Sequence, residues 1–221
     1  MLKINECSLR ILKNRYMELP KDTYRTILSN SEGNYKEKGS KFLAYAFRCE
    51  SEKQIKENLE LLRKKHFDAR HHAYAYRLGA EKKIFRTNDD GEPSSTAGKP
   101  IFGQILSKDI TNILIVVVRY FGGTKLGVSG LINAYRSAAA DAIDNTQIIT
   151  KTVNDVFEIK CDYISMNDVM KIIKEEKPEV LEQQFDISCK IVFSIRQSEV
   201  EKIVSRFKKI KKLEIMKIKT V

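Results

Sequence analysis

Three carboxylates, three hydroxyls and two histidines are the first residues in this chain whose types and spacing suggest chemistry. Asp89, Asp90 and Glu92 lie in "NDDGEPSSTAGKP", followed at once by Ser94, Ser95 and Thr96. Clustered carboxylates can hold a divalent cation, and a carboxylate beside His71 or His72 can move a proton. The spacing does not continue to the terminal Glu that an EF-hand requires. The serines lack the G-x-S-x-G elbow that exposes a nucleophile. If residues 71 and 72 lie in a strand, their rings point to opposite faces and do not share one metal. Asp-Gly, Pro and Ser residues make this stretch turn chemistry throughout, with side chains that bond their own backbone. It is read as a binding loop with no catalytic residue, no metal and no cofactor. The alternative is a hydrolase built on Asp89, Asp90 and Glu92 with His71 or His72.

A second cluster lies in "VVRYFGGTKLGVSG", where Arg119 and Lys125 flank Gly122 and Gly123. Neither a Walker A loop nor the G-x-G-x-x-G fingerprint is present. Two readings stay open. Successive N–H groups around the paired glycines can form an anion nest beside a helix start, with two cations at hand. Alternatively, the glycines simply turn the chain tightly and Gly130 lets the helix pack close. "YKEKGSKF" and "ARHHAYAYR" also set Lys38, Lys41, Arg70, His71 and His72 beside aromatics. That mixture suits single-stranded nucleic acid, which stacks its bases and pairs its phosphates.

The elements that must position these residues follow from pattern. "TYRTILSN" and "GSKFLAYAFRCE" read as strands, the second with Leu43, Tyr45, Phe47 and Cys49 on one face. "SEKQIKENLELLRKKHF" is an amphipathic helix with a Ser51–Gln54 capping box and an apolar stripe of Ile55, Leu59 and Leu62. "HHAYAYRLG" and "KKIFRTN" are strands joined around Gly79. A short helix around Phe102–Leu106, the strand "NILIVVV" and a small-residue helix ending near Asn145 follow. Beyond a break near residues 147–152 the order is βαββαβ, a ferredoxin-like layout. In it, Pro178 closes the first helix and a Ser198–Glu201 capping box opens the second. The expected domains are an N-terminal extension over 1–20, an α/β domain over 21–150 and a second over 151–221, an α+β architecture overall.

The chain has 221 residues and a formal net charge of +11. Its first 150 residues hold 25 Lys and Arg against 17 Asp and Glu, so most of the excess lies there. A basic balance suits a polyanionic partner, RNA or the ribosome, and equally suits plain solubility. Four cysteines, Cys7, Cys49, Cys161 and Cys189, show no C-x-x-C spacing and are expected as free, buried thiols. No apolar run is long enough to span a bilayer, and the start has no uninterrupted apolar core of a signal peptide. A cytoplasmic protein with no membrane partner is expected.

"DDGEPSSTAGKPIFGQI" followed by "NILIVVVRYFGGTKLGVSGLINAYRSAA" resembles the hallmark of the IMPACT/YigZ family. "KEKGSKFLAY" and "DARHHAYAYRLG" match its earlier blocks. The resemblance covers about residues 22–145 and, with the tail of the bacterial two-domain members, most of 22–221. It implies a first domain like the ribosomal-protein-type fold of elongation factor G domain four, and a tail like domain five. It also implies a link to translation regulation, with RNA, the ribosome or a protein of the translation machinery as partner. A third possibility is therefore a protein-interaction regulator that binds no nucleic acid. Many relatives of this kind have Gly where this chain has Ser95 and Ser129. Either serine would be strained if its position requires positive φ.

Overall fold

The computed structural model describes residues 22–185 and 189–221. The expected extension over 1–20, with Cys7, lies outside the described residues. Two sheets account for most of the chain, the first with an apolar core on each face and the second with one.

The first sheet is fully antiparallel. It contains β2 (Ser31–Glu37), β3 (Ser40–Arg48), β4 (His71–Leu78), β5 (Ile84–Asn88) and β6 (Ile113–Tyr120), in the order β2-β3-β6-β4-β5. Strand β6 is central, and its unbroken apolar run is explained by burial on both faces. Ile113, Ile115 and Val117 pack in one core with α2 (Gly98–Ser107) and α3 (Gly127–Asp144). Leu114, Val116 and Val118 pack in another with α1 (Glu52–Lys65). Alternation along the strand makes this division. On the α2/α3 side the neighbouring strands supply Ala44, Ala46, Ala73 and Ala75, and α3 supplies Ala134, Ala138, Ala139 and Ala142. Small residues on both surfaces let the helix lie close to the sheet. Ser51 caps α1 by accepting from the Gln54 N–H at 3.3 Å, while Gln54 Oε1 accepts from the Glu50 N–H at 2.7 Å.

Two differences from the sequence reading have physical causes. Strand β2, "SEGNYKE", has too little apolar alternation to show as a strand. It is an edge strand set against α3, where a Cβ on Gly33 would stand 2.3 Å from the Ala142 nitrogen. Helix α2 starts at Gly98, four residues before the expected helix, because the preceding loop supplies a carboxylate cap from a distance.

Strand β1 (Thr23–Ile27) pairs antiparallel with β7 (Ile148–Thr152), so the segment expected as a break is itself a strand. Beyond it, β8 (Asn154–Cys161), β9 (Glu179–Phe185), β10 (Cys189–Arg196) and β11 (Leu213–Thr220) form an antiparallel sheet of order β11-β8-β10-β9. Helices α4 (Met166–Glu176) and α5 (Val200–Phe207) contribute Val169, Ile172, Ile173, Ile203 and Phe207 to its core. Lys177, at φ 49°, closes α4 just before Pro178. The Ser198 capping box does not form: a 3-10 turn over Gln197–Glu199 precedes α5, and the Ser198 N–H donates to Asp22 at 3.3 Å. Cys49, Cys161 and Cys189 are buried free thiols, and the register places Cys161 opposite Cys189. Among the described residues no helix is long and apolar enough to cross a membrane.

Candidate functional site

The three loop carboxylates do not converge. Asp89 turns toward α2: Oδ1 accepts from the Ala97 N–H at 3.0 Å and the Gly98 N–H at 2.8 Å, and Oδ2 from the Ser95 N–H at 2.8 Å. Burial pushes its pKa up, but these N–H donors and Lys99 together outweigh that and hold it below the usual range. Asp90 pins the start of β4, accepting from the His72 N–H at 2.7 Å, with Arg63 3.6 Å from its other oxygen. Glu92 is buried and points to the core. Thr96 donates to the Pro93 carbonyl at 2.6 Å, and Ser95 holds a left-handed φ of 67°. Ser129 lies inside α3 and has no such backbone. Of the expected loop residues, Ser94 alone stands exposed, because the others bond inward to their own backbone or to the sheet.

The histidines part as strand geometry requires. His71 faces the α2/α3 side and donates through Nδ1 to the Asp90 carbonyl at 2.8 Å. His72 is buried, and its Nε2 has no partner. Burial is the main cause that lowers its pKa, so it is neutral near pH 7. The carboxylate–histidine pairs on which the hydrolase reading rests form no side-chain hydrogen bond: His72 Nδ1 stands 3.9 Å from Asp90 Oδ2, and His71 bonds the Asp90 carbonyl. Cys49 offers no nucleophile either, since burial pushes its thiol up to about 11. Among the described residues no three His, Cys, Asp or Glu side chains are grouped to hold a metal ion.

A polar set that spacing does not reveal sits at the end of β6. Arg119 follows Ile113, Ile115 and Val117 on the helix-facing side of the strand, with Phe42 and His71 opposite it in the register. Its Nη1 donates to Glu92 Oε1 at 2.5 Å, and the Tyr135 hydroxyl donates to the same oxygen at 2.8 Å. The Arg119 and Glu92 side chains are only 7% and 3% exposed. Burial first, then the Glu92 charge, raises the Tyr135 pKa and keeps the phenol protonated. The Arg119 guanidinium carbon lies 5.5 Å from the centre of the Phe42 ring and 5.6 Å from that of Phe121. Its Nε is buried without a partner. The reading of Arg119 as a free cation beside the glycine turn is corrected by this pairing. The warning sign in the sequence was parity: an arginine in register with a buried strand face needs a buried anion.

The glycine turn is also partly committed. The Gly122 N–H donates to Ser40 Oγ at 3.1 Å, and a Cβ there would stand 1.9 Å from the Gly39 carbonyl carbon. Gly122 is thus a close-approach glycine, and its N–H does not serve a nest. Gly123 has φ 86° and open space around it. Lys125 is exposed, as are Lys38 in the β2–β3 turn and Lys41 at the start of β3.

These elements border an open cavity of about 500 Å³ lined by Arg70, His71, Glu92, Arg119, Phe121, Lys125 and Val128, among others. Phe121 and Val128 are 52% and 60% exposed. Leu126 caps α3 with no side-chain hydrogen bond, and the first turn holds no acidic residue. The cavity therefore combines an apolar wall, a cationic rim and an uncapped helix start. On the α1 side of the sheet, the Tyr45 hydroxyl and Tyr120 hydroxyl hold His66 at 2.8 and 2.9 Å, and Tyr120 donates to Asp68 at 3.0 Å. Since Tyr120 donates onward, His66 Nδ1 carries the proton and Nε2 accepts from Tyr45. His66 is thereby fixed as a packing residue.

Comparison with known proteins agrees with this architecture. Residues 38–143 match the family model described as the Impact N-terminal domain. An IMPACT family member of Haemophilus influenzae is 30% identical over 166 residues, covering 74% of this chain and 81% of that one. IMPACT family member YvyE of Bacillus subtilis is 29% identical over 155 residues, or 70% and 71% of the two chains. The chain belongs to the IMPACT family. A crystal structure described as that of a hypothetical protein superposes with a TM-score of 0.70 at 24% identity, covering 90% of this chain and 98% of that one. The mixed α/β fold is shared along nearly the whole length.

Proposed function

We propose that this chain is a non-catalytic cytoplasmic protein that docks on RNA, free or ribosomal, and acts in translation regulation. The observation that supports it best is the cationic rim of Arg70 and Lys125 around a cavity that exposes the Phe121 ring, with Lys38 and Lys41 at the same end of the sheet. Glu92 neutralises Arg119, so docking charge comes from these outer residues. The βαββαβ unit with sheet order β11-β8-β10-β9 suits a ferredoxin-like tail. The first unit then corresponds to the ribosomal-protein-type fold of elongation factor G domain four.

Binding of single-stranded RNA and of ribosomal subunits, measured over a salt series, tests the reading. Affinity for the single strand should fall with log salt at about −0.7 per phosphate contact. Lys125→Ala, with its melting temperature unchanged, should weaken binding at low salt and flatten the slope by about one contact. If neither RNA nor ribosomal subunits bind at about 50 mM salt, where phosphate contacts are strong, the RNA reading is wrong.

A further inference from the structure

We infer that the cavity between the 89–97 loop and the start of α3 takes one unpaired nucleotide of an RNA strand, with its base on Phe121 and its phosphate at the rim. This rests on the RNA-docking reading and specifies the form of RNA and its seat. Four observations bear on it.

The first is the stack. The Arg119 guanidinium lies between the rings of Phe42 and Phe121, at 5.5 and 5.6 Å. Phe42 is fully buried, whereas Phe121 is 52% exposed and lines the cavity. The stack thus ends in an aromatic surface open to a flat ligand. A base offers such a face whatever its sequence.

The second is the rim. Arg70 and Lys125 line the same cavity, together with Leu126, Gly127 and Val128 at the start of α3. The 18-residue helix carries no side-chain cap and no acid in its first turn. Free N–H groups at a helix start, with cations nearby, favour a phosphate.

The third is the buried base of the cavity. Arg119 is held by Glu92, yet its Nε has no partner. That nitrogen has no accessible surface, so Arg119 holds the Phe121 ring in place and does not itself bond the base.

The fourth is size. About 500 Å³ lies within the usual range for small-ligand sites and suits one nucleotide rather than a duplex. A base must leave its helix to enter, so paired RNA should dock on the rim alone.

The chain has no tryptophan, so Phe121→Trp creates a single reporter at the proposed contact. Binding of a labelled oligouridylate and of a blunt-ended RNA duplex is compared for the wild type, Phe121→Ala, Phe121→Leu and Phe121→Trp. Removing the aromatic face should weaken oligouridylate binding by about 5- to 150-fold, the range of base–aromatic stacking, and leave the salt slope unchanged. Phe121→Leu keeps apolar bulk, so equal losses in both variants at unchanged melting temperature exclude a folding effect. Duplex affinity should not move. Phe121→Trp should retain affinity, and its emission should change when oligouridylate is added. Wild-type affinity in Phe121→Ala, or an unmoved tryptophan signal at saturating RNA, overturns the inference while leaving salt-dependent docking intact. A stronger tryptophan response to an acidic peptide than to RNA also overturns it, because the cavity then serves a protein partner. No RNA binding at all by the wild type defeats the docking reading itself.

Discussion

Glu92 shows how one residue can look functional in sequence and be structural in space. It was grouped with Asp89 and Asp90 by proximity, yet it is the buried anion that Arg119 and Tyr135 require. Removing one member of a buried ion pair leaves the other charge without compensation, which costs about 3–5 kcal/mol. Glu92→Ala should therefore lower the urea midpoint severely. Replacing both partners, as in Glu92→Leu with Arg119→Met, should recover most of that loss, since two apolar groups leave no orphaned charge. A double variant no better than Glu92→Ala would show that the site depends on the polar geometry itself. Ser95 gives a smaller effect of the opposite sign. Its φ of 67° disfavours a residue with a Cβ, while glycine raises unfolded-chain entropy. Ser95→Gly should hold or raise stability by up to about 1 kcal/mol, and Ser95→Val should lower it. Thermal melts of the two variants compare these directly.

At the scale of elements, the central device is Asp89, one carboxylate that organises a loop and starts a helix. Losing such a cap costs about 0.5–2 kcal/mol, and Asp89 accepts three N–H groups, so Asp89→Ala should fall at the upper end. The pH dependence has a definite sign. The folded-state pKa is depressed, so the stabilisation is complete above the unfolded value of about 3.9 and is lost as pH falls through the lower folded value. The difference in melting temperature between the wild type and Asp89→Asn should thus shrink below about pH 4. A constant difference down to pH 2 would assign the cap to hydrogen bonding without charge. Most elements were legible because burial imposes periodicity, as in α1, α3, β6 and the βαββαβ tail. Strand β2 escaped because a polar edge strand has only Gly33 turned fully inward. The early start of α2 escaped because its cap lies nine residues upstream at Asp89. The Glu92–Arg119–Tyr135 set escaped for the same reason at greater range: its members are 27 and 43 residues apart. Sequence displays local spacing, and these contacts exist only after the sheet closes.

For the whole molecule, the decisive question is how two main sheets with separate cores behave as one protein. The junction is made near Asp22. Its carboxylate accepts from Arg196 Nε at 2.6 Å, from Arg196 Nη2 at 3.1 Å and from the Ser198 N–H at 3.3 Å. Its carbonyl accepts from the Val153 N–H at 2.7 Å, and the Val153 carbonyl accepts from the Gln197 N–H at 2.9 Å. The residue just before β1 thereby ties the 23–152 unit to the strand end of β10. The Arg196 hydrogen bond is the main cause that holds the Asp22 carboxyl far below the usual carboxylate range, so the tie persists into acid. With its own apolar cluster and complete antiparallel sheet, the segment from 152 to 221 should fold alone, giving a cooperative melt and dispersed amide signals. In the full chain, Asp22→Asn weakens the charge-assisted part of the junction and leaves each core intact. Calorimetry should then resolve two transitions, or separate them further than in the wild type. The later or earlier of the two should match the isolated 152–221 fragment. The wild-type chain should retain its coupling through pH 4 and lose it only as Asp22 is protonated at stronger acidity. A fragment that melts without cooperativity would mean that the second core needs the first, and that Asp22 belongs to a single folding unit.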